Sequence, residues 1–153
     1  MSYQIIDEPT NGKMKHLSVQ PLWPLFGLML GGSWIAFPWF VINAFAIGCP
    51  NRVRTAILAV VALAGHGLLI FAIVLLAQGA EWDQYGVRYA LLAAIIWKLG
   101  FGYYLYVLQS RTFELYTYFG GQVRNGMIVV IAAVFLGPKL LDNIPPFLRL
   151  VLQ

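Results

Sequence analysis

Four apolar stretches separated by short polar segments organise this chain. The first, 22–48, runs 27 residues without a charge, longer than the ~20 residues a helix needs to cross a bilayer. Pro38 lies inside it, and proline removes a helical hydrogen bond and crowds the preceding turn, so the pattern predicts one helix kinked near Ala36. The second, 55–78, contains a single ionisable residue, His66, and the third, 89–109, carries Lys98 near its centre. The fourth, 126–141, is short. Only 11 uninterrupted apolar residues, Met127 to Gly137, precede Pro138 and Lys139. It spans only if the Lys139 side chain reaches out to the headgroups.

The intervening segments are brief. Residues 49–54 form a tight turn, 79–88 a small polar loop, and 110–125 the longest connection. Phe113, Tyr116, Tyr118 and Phe119 in that connection suit an aromatic belt at one membrane face. Residues 1–21 and 142–153 are read as polar or interfacial tails flanking the 22–141 domain. The first tail is too long, and the apolar run after it too extended, for a secretory signal. Helices joined by short loops pack antiparallel. The predicted fold is therefore all-α: a polytopic integral membrane protein, an antiparallel bundle of four transmembrane helices. No internal repeat, inverted symmetry or pair of broken helices of the transporter kind stands out.

Composition agrees with that fold. The chain is 60% hydrophobic and 10% charged, with a mean hydropathy of +0.74, whereas about 25% charge is usual in soluble domains. Its natural solvent is the lipid bilayer. The formal charge of +4 comes from basic residues placed singly or in pairs at the ends of apolar runs, such as Lys13 with Lys15 and Arg52 with Arg54. That placement flanks membrane spans and supplies no phosphate-tracking patch, so a nucleic-acid partner is not expected. With four crossings, Lys13, Lys15, Arg88, Lys139 and Arg149 face Arg52, Arg54, Arg111 and Arg124 across the bilayer, a near balance that leaves orientation open. The short loops suit a bacterial inner (cytoplasmic) membrane. The lone cysteine, Cys49, excludes an internal disulfide and a multi-cysteine metal site, and is expected as a packed or interfacial thiol.

Three polar side chains fall where they cost energy: Asn43, His66 and Lys98. A lysine at the centre of a span costs on the order of 3 kcal/mol on insertion scales. All six acids lie in tails or loops. Lys98 is therefore expected to be neutral, to bond carbonyls, Asn43 or His66 or lie over an aromatic face within the chain, to meet a carboxylate of another subunit, or to face a hydrated cavity that admits an anion. His66, flanked by Gly65 and Gly67, reaches a similar depth on the preceding helix, and Asn43 suits an interhelical hydrogen bond. Ala90, Ala94, Lys98 and Gly102 share one stripe, and Ala59, Ala62 and His66 another. Gly27-x-x-x-Gly31 adds a close-packing motif.

Catalytic signatures are missing: no His-Glu-x-x-His, no Gly-x-Ser-x-Gly, no phosphate-binding glycine loop. No cofactor, metal site or enzyme activity is expected. The sequence reads best as a non-enzymatic interaction, accessory, sensor or immunity-type subunit. Its partners would be another membrane protein or copies of itself. The competing reading is a homo-oligomeric channel or transporter for an anion or protons, with Lys98 and His66 lining the path.

Overall fold

A computed structural model describes residues 14–79, 84–142 and 144–152. Among these, secondary structure is helical apart from one parallel bridge between Val19 and Arg124. A 3-10 turn at Lys15–Leu17 precedes α1 (Leu22–Leu30), α2 (Ser33–Ala46), α3 (Arg52–Gly79), α4 (Gln84–Tyr118), α5 (Met127–Leu141) and α6 (Pro146–Leu152). Two of them, α3 and α4, are long and apolar enough to cross a membrane, while α2 and α5 are shorter apolar helices.

The first apolar run is not one kinked helix. It breaks at Gly31–Gly32, six residues before Pro38 is reached, and Pro38 sits inside α2. Gly32 has φ 97 and ψ 176, a backbone region essentially reserved for glycine, so the chain can turn sharply there. The two short helices fold back on each other. A Cβ built on Gly27 would lie 3.4 Å from the Trp39 ring, and further from the break Val19 N–H donates to Asn43 Oδ1 at 2.9 Å. Helices α1 and α2 are therefore a hairpin whose tip is Gly31–Gly32 and whose base is Ser18–Val19 with Asn43.

Helix α2 stops at Gly48 (φ 68), with Cys49 N–H bonding back to Ala44 C=O at 2.9 Å. Helix α4 ends the same way at Gly120 (φ 76), where Gly121 N–H meets Tyr116 C=O and Gly120 N–H meets Thr117 C=O. Both are glycine-terminated helix ends in which a left-handed residue lets two orphan carbonyls be satisfied. The expected 110–125 loop is consequently short. No proline or glycine interrupts 110–118, so α4 runs on to Tyr118 and only 119–126 connect it to α5.

Helices α3 and α4 pair antiparallel and pack with α2 around Leu28, Ala36, Phe37, Phe40, Ala59, Ala62 and Leu105. Ala59 and Ala62 present no bulk, so the Phe37 and Phe40 rings fill the space between helices. Helix α5 runs parallel to α1: Gly126 abuts Trp23 and Ala133 abuts Gly31. Its buried stripe of Val130, Ala133, Gly137 and Leu141 faces that hairpin. The C-terminal stretch is more than an interfacial tail, since α6 packs on α3 and buries Val151 with Ile70, Ile73 and Ala94.

Candidate functional site

The densest polar structure lies at the hairpin base. Asn43, fully buried on α2, accepts from Val19 N–H and donates through Nδ2 to Gln109 Oε1 on α4 at 3.0 Å. Gln109, also fully buried, donates through Nε2 to the Phe40 carbonyl at 2.7 Å. Alongside, Ser18 Oγ is bonded to the Gln122 carbonyl and lies 3.2 Å from Tyr116 Oη. Arg124 N–H donates to the Ser18 carbonyl at 2.9 Å. Two helices and two loops are thus tied by buried hydrogen bonds with nearly every polar atom matched, the condition under which such networks rigidify a fold. Sequence reasoning selected Asn43 and missed Gln109, Ser18 and Tyr116. Gln109 closes an apolar run, so it reads as a boundary residue.

His66 and Lys98 occupy a different level. His66, 3% exposed on α3, lies against the main chain of Ala94 on α4, one helical turn from Lys98. Its Nδ1 has no hydrogen-bond partner among the described residues, as is true of the buried Ser33 and Thr55 hydroxyls. Lys98, on the facing helix, lies close to the imidazole. Asn43 does not join them. Its partner Gln109 is 11 residues from Lys98 along α4, or ~16 Å at 1.5 Å per residue.

The space beside the glycines that flank His66 is filled by side chains of other helices. A Cβ on Gly65 would sit 2.6 Å from the Trp97 ring, which lies in that notch and donates Nε1–H to the Ala62 carbonyl at 3.3 Å. A Cβ on Gly67 would meet Val151 of α6 at 3.4 Å. The other small residues also face this chain's own helices. Gly27 meets Trp39, Gly31 meets Ala133, and Gly102 receives the Leu28 side chain. Ala59, Ala62 and Ala94 are buried, and Ala90 packs beside Ala94.

At the hairpin tip a cavity of about 230 Å³ is lined by Leu30, Gly31, Gly32, Val134, Gly137 and Pro138, among others. Its lining side chains are apolar or absent, so any polar group it offers is main chain. Cys49 is buried at the α2–α3 turn. Burial pushes its thiol up from the ordinary value, and a hydrogen bond with Thr112 works against that. Among the described residues no three His, Cys, Asp or Glu side chains gather where a metal could be held. Compared with protein-family models, curated proteins and solved structures, the chain finds no match in any of the three.

Proposed function

We propose that this chain is a non-enzymatic integral membrane protein acting as an accessory or interaction subunit. Helices α3, α4 and α5 cross the bilayer, and the α1–α2 hairpin enters and leaves from one side. The observation that carries the membrane reading is how little of the two long apolar helices is covered. Only 28% of the most apolar window of α3 and 17% of that of α4 are buried. Val60, Leu68, Ile96, Ile128 and Phe135 are each more than 60% exposed. A core helix of a soluble protein would be covered, and water would not tolerate so continuous an apolar surface. The broken backbone at Gly31–Gly32 suits this setting because it is packed against α5 rather than exposed to lipid.

The hairpin also bears on orientation. Lys15, Arg52, Arg54, Arg111 and Arg124 lie toward its base, whereas Arg88, Lys139 and Arg149 lie at the other ends of the helices. Five against three favours a cytoplasmic hairpin base under the positive-inside rule. The short loops point to a bacterial inner membrane. What favours an interaction role is that the cavity at the hairpin tip is lined by neither Lys98 nor His66, and that the outward faces of α3, α4 and α5 remain open to lipid or to another protein.

One observation favours a second reading. Broken helices near the bilayer midplane build the ion sites of many transporters, and here the hairpin tip points toward the level of Lys98 and His66. An oligomeric channel for an anion or protons is that alternative. Native mass spectrometry of the tagged protein, extracted from its own membranes in mild detergent, separates the two. A stoichiometric second chain supports the interaction reading, and a closed ring of identical copies overturns it in favour of conduction. Reporter fusions at the N-terminus and at Asn51 should read out from the same compartment. Opposite compartments would refute the hairpin crossing scheme.

A further inference from the structure

We infer that the α3–α4 face toward the hairpin base carries a binding site for an anionic phospholipid. The inference rests on the membrane reading above. Two recesses meet on this face. One, about 300 Å³, is of mixed polarity: Asn51, Tyr104, Arg111 and Thr112 line it together with the apolar Pro50, Val107, Leu108 and Leu115. The other, about 500 Å³, is apolar and lined by Leu58, Ile96, Trp97, Gly100, Phe101 and Tyr104. Tyr104 is the wall they share. Its hydroxyl accepts a hydrogen bond from Arg54 Nη2 at 3.0 Å, which holds that guanidinium over the junction.

The chemistry of the two halves is that of an amphiphile. Arg111 lines the mixed recess and Arg54 reaches its shared wall through the Tyr104 hydroxyl. Among the described residues the ion pair present is Arg149 with Asp142, at the opposite end of the bundle. Neither Arg54 nor Arg111 has a carboxylate partner among the described residues. Arginine's planar fork matches phosphate oxygens two at a time. The apolar recess descends from Tyr104 to Ile96, eight residues of α4, or about 12 Å, close to half the ~30 Å hydrocarbon core. Its floor is open, since a Cβ on Gly100 would meet nothing within 4 Å. Trp97 and Phe101, with ring centroids 4.8 Å apart and planes tilted by 42°, form one wall. A trough one leaflet deep, capped by arginines at headgroup height, fits a phosphate joined to an acyl chain. A partner helix would need a longer groove.

The test uses the full-length protein. Membranes are first washed with alkaline carbonate; release of the chain would overturn the membrane reading and the lipid site with it. The retained protein is then titrated in mild detergent with phosphatidylglycerol, with phosphatidylcholine of the same chains, and with glycerol phosphate, and bound molecules are counted by native mass spectrometry. Phosphatidylglycerol should be retained at least tenfold better than phosphatidylcholine, and glycerol phosphate should not be retained. Arg54→Gln and Arg111→Gln should each reduce that preference about fivefold, the effect of one basic residue near an anionic headgroup, while Arg88→Gln leaves it unchanged. Gly100→Leu should reduce binding of the lipid while improving helix propensity, so its loss cannot be charged to misfolding. Equal retention of the two lipids, silent arginine variants, or retention of glycerol phosphate alone would overturn the site while leaving the membrane reading standing.

Discussion

Replacing Asn43 and Gln109 singly and together gives a result whose sign follows from the hydrogen bonds at the hairpin base. Asn43→Leu keeps the number of side-chain heavy atoms but strands two buried groups, Val19 N–H and Gln109 Oε1. Gln109→Met strands one, Asn43 Nδ2. The Phe40 carbonyl that also loses a donor remains part of α2. A buried donor or acceptor left without a partner costs about 1–3 kcal/mol, and interhelical bonds in bilayer proteins average ~0.6 with a ceiling near ~1.7 kcal/mol. Taking about 1 kcal/mol per stranded group, Asn43→Leu costs about 2 kcal/mol and Gln109→Met about 1. The double variant strands only Val19 N–H and costs about 1, so it should be more stable than Asn43→Leu alone. Reversible unfolding in mixed micelles, followed by far-UV circular dichroism, measures all three. A double variant whose loss equals the two single losses together would refute the network as drawn.

Two further outcomes follow from packing and burial. Gly65→Ala should loosen the α3–α4 pair by about 1–3 kcal/mol because the new methyl meets the Trp97 ring at 2.6 Å, while Gly100→Ala, with nothing in reach, should stabilise α4 by up to about 1 kcal/mol; thermal unfolding in detergent compares them. Cys49, buried and with its thiol pushed up, carries less thiolate at a given pH than a free thiol. It should react slowly with iodoacetamide in the folded protein, faster as pH rises. Thr112→Val removes the bond that favours the thiolate and should slow the reaction further. Labelling at the rate of a small free thiol would contradict the burial.

Some elements could be read directly from residue type. Helix α5 begins within one residue of the expected start, and Gly48 beside Cys49-Pro50 closes α2 as a glycine C-cap should. The break in the first run could not be read that way. A spanning helix and a hairpin of two half-helices expose the same apolar atoms, so hydropathy is silent between them. Pro38 looked the stronger interruption than Gly31–Gly32, but a proline six positions into α2 is accommodated, whereas Gly32 adopts a conformation other residues avoid. The aromatic segment 110–118 resembled a loop because its polar residues were counted and its continuous helix propensity was not. At the site, Asn43 was visible as an amide inside an apolar run, and Gln109 was hidden by its place at the end of one.

The hairpin base also dictates an order of assembly. Asn43 waits for a partner 66 residues further along the chain, and Ser18 for one 104 residues on. At about 5–20 residues per second, Gln109 leaves the ribosome roughly 3–13 s after Asn43. Until then the Val19–Asn43 bond can close but its continuation to Gln109 cannot, and the nine- and fourteen-residue lengths of the two helices give them little reason to settle alone. The segment made first is therefore the piece that locks last, and a chain truncated before Gln109 should leave it undocked.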